Sequence, residues 1–243
     1  MSNSKLVSYT RLSPNHSGKR THSIDRITPH CVVGQLTAAG IAGCFASPAR
    51  QASCNYGIGT GGDIALIVDE GNRSWCSSSA INDQRAVTIE CASDTYHPYA
   101  MNSKVYKSLV NLCVDICKRN GKKRLIWIPN KDKALSYQPK NNEMLLTVHR
   151  WFALKACPGD WLVNRLDNLA AEVTKRLSGD PTPYKVQIVK AVNVRKRPTG
   201  ASRKIMVLHP KGVYTIVKLS KNKKWGKLKS GAGWVKLSYT KKV

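Results

Sequence analysis

The uneven distribution of charge along the chain most constrains how it can fold. Residues 184–243 contain 17 of the 40 Lys and Arg residues and no Asp or Glu, whereas residues 1–183 hold the other 23 basic residues and all 14 acidic ones. A composition break this sharp predicts a domain boundary near residue 184. The net charge of +26 indicates an anionic partner, which could be nucleic acid, an anionic lipid or an acidic polymer.

Composition excludes several classes of protein. Apolar residues make up 42% of the chain, enough to bury a core, which argues against full disorder. No run approaches the roughly 18 apolar residues of a membrane span. The first 25 residues are polar and lack an apolar stretch, so we expect no cleavable secretory signal and, in turn, no disulfides among the eight cysteines.

The pattern of apolar residues predicts an α/β fold, with a mixed β-sheet flanked by helices, over residues 24–178. Residues 1–23 are polar and aperiodic and are interpreted as an N-terminal arm. Strands are predicted at 24–33, 56–58, 64–68, 86–91 and 124–128, and residues 144–148 could be strand or helix. Helices are predicted at 37–46, 103–119 and 160–177. A linker rich in Gly and Pro is predicted at 179–184.

The C-terminal segment, residues 185–243, has a different pattern. Its short strand candidates are 186–194, 205–208, 213–219, 225–229 and 233–237. The turns between most of them contain Gly or Pro. This spacing predicts a small all-β barrel.

Three residues of metal-ligating type stand out in the first segment. His30 ends the first predicted strand, and His149 and Cys157 lie close together in the sequence. A catalytic zinc typically takes three protein ligands, but this spacing alone is a weak signal, and a lone His at a strand end is more often an ordinary polar residue. Glu90 ends an apolar strand, where an unpaired carboxylate is costly, so it belongs either to a site or to a solvent-facing edge.

Residues 10–178 resemble the zinc-dependent N-acetylmuramoyl-L-alanine amidases, a fold shared with peptidoglycan recognition proteins and phage lysozyme-type amidases. More narrowly, they resemble endolysins of phages and prophages of Clostridium-like bacteria. The similar segments occur in family order and are ITPHC (27–31), RQASCNYGIG (50–59), VDEGNRSWC (68–76), AVTIE (86–90) and KACPGD (155–160).

The resemblance implies a set of site residues. It assigns Zn²⁺ ligation to His30, His149 and Cys157. It also implies that Glu90 is the general base, and that Lys155 and Tyr56 stabilise the oxyanion or orient water. The chain departs from the family at residues 150–152, Arg-Trp-Phe, where relatives often carry an acidic residue, so its substrate preference is open.

The C-terminal segment resembles bacterial SH3-like domains, which bind peptidoglycan. The similar segments are VNVRKRP (192–198), KWGKL (224–228) and GAGWV (231–235). The aromatic residues expected on a wall-binding face are Tyr214, Trp225, Trp234 and Tyr239. The two tryptophans could equally fill the core of the barrel.

Together these features predict an endolysin that cleaves the amide between N-acetylmuramic acid and L-alanine with zinc-activated water. Its expected partners are bacterial peptidoglycan and the anionic polymers of the wall. We expect it to be made without a signal peptide in the bacterial host cytoplasm and to act on the wall after release.

Two alternatives remain open on the sequence. In a Cys–His cell-wall endopeptidase, Cys54 or Cys31 is the nucleophile and His97 or His149 the base. The second alternative is a non-enzymatic protein that binds nucleic acid through its basic residues. Its positive charge favours this interpretation, but no nucleic-acid-binding motif is recognisable in the sequence.

Overall fold

The computed structural model describes residues 2–179 and 182–243. The chain divides into two compact units, 1–178 and 179–243, and each has its own hydrophobic core. The predicted linker at 179–184 includes Asp180 and Pro181, which lie outside the described residues. No helix in the described ranges is long and apolar enough to cross a membrane.

The first unit combines strands and helices. Its strands are β1 (Tyr9–Thr10), β2 (His16–Lys19), β3 (Arg26–Cys31), β4 (Tyr56–Ile58), β5 (Ile64–Leu66), β6 (Asn72–Ser74), β7 (Ala86–Cys91), β8 (Arg124–Ile126) and β9 (Glu143–Leu146). Its helices are α1 (Ala38–Cys44), α2 (Ala80–Arg85), α3 (Ser103–Arg119), α4 (Lys131–Ser136), α5 (Asp160–Val163) and α6 (Leu166–Leu177).

A seven-stranded mixed sheet forms the centre of this unit, in the order β1-β5-β4-β7-β3-β9-β8. All pairs are parallel except β4 with β5. Every residue of β3 is buried, as expected for a central strand of a largely parallel sheet covered on both faces. The predicted mixed sheet flanked by helices is therefore confirmed.

The longest helix, α3, begins and ends where the sequence predicts. The Asn102 side chain accepts hydrogen bonds from the backbone N–H groups of Lys104 and Val105 and so caps the first turn. Gly121 follows the helix with a φ of 68°, a conformation that glycine adopts without steric cost. The apolar stripe of α3 is buried in the core of the unit.

Two expectations about the first unit are wrong. Residues 1–23 are not a separate arm, because β1 pairs with β5, β2 pairs with β6, and Ser13 and Asn15 are buried against the carbonyl of Phe45. The helix predicted at 160–177 is two helices, α5 and α6, separated by Asn164 and Arg165.

The second unit is all-β. Its strands are β10 (Tyr184–Ile188), β11 (Val192–Arg195), β12 (Lys204–Leu208), β13 (Val213–Leu219), β14 (Trp225–Leu228), β15 (Trp234–Lys236) and β16 (Thr240–Lys242). They form one antiparallel sheet in the order β12-β11-β15-β14-β13-β10-β16. The strand predicted at 186–194 is interrupted at 189–191, while the predicted all-β character is confirmed. The SH3-like assignment remains a prediction.

Candidate metal centre

Three neighbouring parallel strands bring the predicted ligands and the predicted base together. In the register of β3 with β7, His30 lies directly beside Glu90. Strand β9 pairs with the other edge of β3, and His149 begins a short 3₁₀ turn just after β9. Because the carboxyl ends of parallel strands meet at one edge of a sheet, these side chains converge there.

The three candidate ligands form a compact cluster. The Cys157 Sγ atom lies 3.3 Å from His30 Nδ1, and the rings of His30 and His149 have centroids 5.0 Å apart. One donor atom from each residue lies within 4.8 Å of the other two. Tetrahedral zinc with ordinary Zn–N and Zn–S bonds separates such donors by about 3.6 Å, so the cluster could hold such an ion.

The protonation states of this cluster also suit a metal ion. Burial, followed by the proximity of His149, holds the pKa of His30 well below its usual range, and burial and Lys155 lower the pKa of His149. Both imidazoles are therefore neutral at neutral pH and can donate a lone pair. A hydrogen bond with the Cys31 side chain and burial raise the pKa of the Cys157 thiol, so metal binding must release its proton.

Glu90 is placed to exchange a proton beside this cluster. Its Oε1 atom lies 4.0 Å from His30 Nδ1, and its side chain is only 14% exposed. Its Oε2 atom is buried and accepts no hydrogen bond from the described residues. Burial raises the pKa of Glu90 to about 7, an effect that the charge of Arg50 partly opposes.

A cavity of about 700 Å³ opens onto the cluster and is large enough for a small-molecule-sized part of a substrate. Glu90, His149 and Cys157 line it, and so does Lys155, whose side chain is exposed. The structure thus brings Lys155 to the same cavity as the predicted base and two of the three predicted ligands. A cation there can stabilise a developing oxyanion.

Sequence reasoning missed three residues of the site. Ser78 hydrogen-bonds His149 Nε2 through its hydroxyl, at 2.9 Å, and so orients the ring. Cys76 lies 4.0 Å from Glu90 Oε1 and could join His30 and Glu90 in a second metal-ligating group. Arg150 donates its backbone N–H to the carbonyl of Cys157, which closes the loop between two candidate ligands. No local motif marks Ser78, whereas Cys76 ends the family-like segment 68–76 and Arg150 begins the departure from the family at 150–152.

The expectation that Tyr56 takes part in the zinc site is wrong. Tyr56 pairs with Ile89, whereas Glu90 pairs with Gly57, so the Tyr56 side chain points to the opposite face of the sheet from Glu90. Its hydroxyl donates to Glu70 Oε2 at 2.7 Å and accepts the N–H of Ser4. Tyr56 is fully buried and belongs to the core of the unit.

This placement yields a prediction for Tyr56→Phe. The variant leaves the buried Glu70 with one hydrogen bond fewer, so we expect it to lower the free energy of unfolding by about 1–3 kcal/mol. Its rate of wall hydrolysis, measured well below the midpoint of thermal unfolding, stays within about twofold of the parent. A large loss of rate without loss of stability contradicts the placement.

The structure does not favour the Cys–His alternative. Cys54 is fully buried, and burial raises the pKa of its thiol well above the usual range, the opposite of an activated nucleophile. His97 is exposed and is hydrogen-bonded to the Asp160 carboxylate at 2.9 Å. Cys31 contacts Cys157, a member of the metal-ligating cluster.

The second unit separates the four aromatic residues predicted to bind the wall. Trp225 and Tyr239 line a cavity of about 590 Å³ that is also lined by Arg195 and Lys236. Tyr214 is half-buried and packs against the core. Trp234 is half-buried and does not line this cavity.

The first unit is thus an α/β fold whose sheet edge carries a cluster able to hold a metal ion beside a largely buried carboxylate. The N-acetylmuramoyl-L-alanine amidase family model matches residues 20–160, and the chain belongs to that family. This membership confirms the amidase resemblance and indicates N-acetylmuramoyl-L-alanine amidase activity.

Three solved structures with similarity to this chain are the following. The Staphylococcus aureus hydrolase AmiA, in complex with its ligand, is 13% identical over 72% of this chain and 87% of that chain, with a TM-score of 0.49. The catalytic domain of XlyA is 15% identical over 68% and 97%, with a TM-score of 0.45. The endolysin LysCS from Clostridium intestinale is 14% identical over 67% and 97%, with a TM-score of 0.42. No curated protein matches the chain significantly.

Proposed function

We propose that this chain is a zinc-dependent endolysin that hydrolyses the amide between N-acetylmuramic acid and L-alanine in bacterial peptidoglycan. The observation that carries the proposal is the clustering of His30, His149 and Cys157 beside Glu90, at a cavity that His149, Cys157 and Glu90 line, within a family of amidases. As an endolysin it acts on the wall after release from the cell that makes it.

The donor set supports zinc as the metal. Two imidazoles and one thiolate are the nitrogen and sulfur ligands that zinc prefers, and three protein ligands leave a fourth position for water. When bound, zinc supplies Lewis acidity and lowers the pKa of a coordinated water. A thiolate ligand makes the ion a weaker Lewis acid, so a separate general base benefits the reaction.

The residues around the cluster have distinct roles in this proposal. Glu90 accepts a proton from the water that attacks the lactyl carbonyl, and a pKa of about 7 suits a base that works near neutral pH. Lys155, on the same cavity, stabilises the negative charge that develops on the carbonyl oxygen. Glu90 then returns the proton to the leaving amine of L-alanine.

Digestion of purified cell walls tests the bond assignment. An amidase releases new N-terminal alanine and produces no new reducing ends. New reducing ends without N-terminal alanine indicate a glycosidase and contradict the proposal. Cleavage at other peptide bonds of the wall indicates an endopeptidase and contradicts it equally.

The second unit is proposed to bind the wall and its anionic polymers. It carries 17 basic residues and no carboxylate side chain from residue 184 onward, so its field is positive. Its cavity pairs the aromatic rings of Trp225 and Tyr239 with the cations of Arg195 and Lys236. This combination suits an acidic polymer that also carries flat or sugar-like groups.

A fragment that starts at Pro183 is predicted to fold alone and to bind purified walls, most strongly at low salt. At about 0.15 M salt the Debye length is roughly 8 Å, so distant charges are screened and only contacts within the binding site persist. Co-sedimentation with walls across a salt series measures this. Failure to sediment at any salt, or a preference for DNA over walls at physiological salt, contradicts the proposal and favours the nucleic-acid alternative.

A further inference from the structure

Helix α2 contacts both strands that lead to the candidate ligand histidines. Its Asn82 side chain is fully buried. The amide nitrogen of Asn82 donates to the Thr28 hydroxyl at 3.0 Å, and its carbonyl oxygen accepts from the Thr147 hydroxyl at 3.0 Å. The two hydroxyl oxygens lie 2.7 Å apart, so the three side chains close a ring of hydrogen bonds, which we call the Asn82 ring.

The remaining hydrogen-bonding capacity of Asn82 is also used. Its amide nitrogen donates a second bond to Ser77 Oγ at 3.1 Å, and its carbonyl oxygen accepts a second bond from Arg26 Nη1 at 3.3 Å. An asparagine side chain has two donor hydrogens and two acceptor lone pairs, so Asn82 has a partner for each. A buried polar network that is fully bonded in this way favours a single arrangement of its groups.

The Asn82 ring lies beside the candidate ligands in the sequence and in the sheet. Thr28 precedes His30 by two residues on β3 and therefore faces the same side of the sheet. Thr147 follows β9 directly and precedes His149 by two residues. The backbone N–H of Thr147 also donates to the carbonyl of Ile27 at 3.0 Å. The ring therefore joins the two strands just before both histidines.

His30 depends on its strand for its position more than His149 does. The Ser78 hydroxyl lies 2.9 Å from His149 Nε2, whereas His30 Nε2 is buried and has no hydrogen-bond partner among the described residues. A metal-ligating histidine is usually oriented by a hydrogen bond at its second ring nitrogen. Because His30 lacks that bond, its placement depends on the backbone of β3, which Thr28 attaches to α2.

The segment that holds Asn82 also holds Ser78 in place. Ser78 has a φ of 60°, which is uncommon for a residue other than glycine. The residue before it, Ser77, donates both its backbone N–H and its hydroxyl to the Asp83 carboxylate on α2, the hydroxyl at 2.6 Å. Helix α2 and the loop before it therefore support both histidines, one through its strand and the other through its ring and its strand.

We propose that Asn82 is a positioning residue that fixes the separation of His30 and His149 and so sets the affinity of the centre for its metal. It acts through Thr28 and Thr147. The inference rests on the proposed zinc dependence and adds to it the residues that hold the ligands ready. Ligands that are ordered before the ion arrives lose less conformational freedom on binding, so their affinity is higher.

Two substitutions of Thr28 separate its hydroxyl from its shape. Thr28→Val keeps the branched shape and removes the hydroxyl, whereas Thr28→Ser keeps the hydroxyl and removes a methyl group. Competition for Zn²⁺ with a chelator of known affinity measures metal binding. We expect Thr28→Val to weaken zinc binding about 10- to 100-fold, as is typical when a group that orients a ligand is lost. Thr28→Ser should stay within about threefold of the parent, even where it lowers thermal stability.

Variants at the other two positions test whether the ring acts as a unit. Asn82→Ala and Thr147→Val each break it and should weaken zinc binding by a similar factor. Because all three changes break one ring, the double variant Thr28→Val with Thr147→Val should bind zinc about as weakly as either single variant. A loss in the double variant equal to the product of the two single losses contradicts a ring that acts as a unit.

Thr174→Val is the matched control. The Thr174 hydroxyl exchanges hydrogen bonds with the backbone N–H and carbonyl of Leu125 on β8, a strand that carries no candidate ligand. Its loss should lower the free energy of unfolding and leave zinc affinity within about threefold. If Thr28→Val is destabilised in the same way but binds zinc like the parent, the ring is only structural and the inference is overturned. Because this comparison uses Thr28, it holds even where Asn82→Ala fails to fold.

Zinc affinity and wall hydrolysis are measured separately, so the two proposals can fail separately. A parent that binds zinc, shows the expected pattern of affinities and hydrolyses no walls supports the role of Asn82 and contradicts the proposed function. A parent that hydrolyses walls with zinc, and whose ring variants bind zinc as it does, supports the function and overturns the role of Asn82. A parent that binds no zinc contradicts both.

Discussion

Replacing Cys157 with alanine is expected to abolish both stoichiometric zinc binding and wall hydrolysis. The Sγ atom of Cys157 lies 3.3 Å from His30 Nδ1, and a site with three protein ligands cannot readily lose one. Loss of a hydrogen-bond partner to a ligand typically costs about 10- to 100-fold in metal affinity or activity, and loss of the ligand itself should cost more. Metal content measured by mass spectrometry after dialysis, together with lysis of purified walls, checks this.

The same experiment needs a thiol control and a metal control. Cys44→Ala removes an exposed thiol of α1 that belongs to neither metal-ligating group and should keep zinc and activity. In the parent, a chelator should abolish lysis and added zinc should restore it. Full activity after verified removal of the metal contradicts zinc dependence.

Glu90→Gln is expected to bind zinc normally and to hydrolyse walls about 10²- to 10⁴-fold more slowly. Glutamine preserves the shape of the side chain but cannot accept a proton, and a general base typically contributes a factor of this size. The Oε2 atom of Glu90 is buried without a partner among the described residues, so the exchange breaks no hydrogen bond of that atom. Single-turnover rates on a muramoyl peptide measure the chemical step directly.

Glu172→Gln is the matched control for this exchange. Glu172 lies on α6, pairs with Arg176 one helical turn away and is far more exposed than Glu90. We expect this variant to match the parent in rate. A Glu90→Gln variant within about threefold of the parent assigns Glu90 to the structure instead.

Elements with a regular apolar period could be predicted from the sequence. Helix α3 buries Leu109, Leu112 and Ile116 at helical spacing, and its cap and its terminating glycine lie at its ends, so the predicted bounds agree with the structure. Helix α2 could not be found in this way. Its buried residues are Asn82 and Asp83, which are polar, while its apolar Ile81 is 77% exposed.

The composition of the site was more predictable than its geometry. Residue types and family-like segments identified His30, Glu90 and Cys157, but the proximity of His30 to Glu90 depends on the pairing of β3 with β7, two strands far apart in the sequence. The position of Tyr56 illustrates this limit. A strand alternates its faces with period two, so only the observed register with β7 shows that Tyr56 and Glu90 lie on opposite faces.

Hydrolysis of a muramoyl peptide in H₂¹⁸O tests whether the chain is a zinc-dependent amidase that cleaves the muramoyl–alanine bond. Mass spectrometry of the products identifies the broken bond and the atom that receives the oxygen of water. We expect a free L-alanine amine on the peptide product and one ¹⁸O atom in the lactyl carboxylate of the muramic acid product, with both products absent after metal removal. Label at the anomeric carbon of the sugar or at another peptide carbonyl, or unchanged turnover in the metal-free protein, contradicts this expectation.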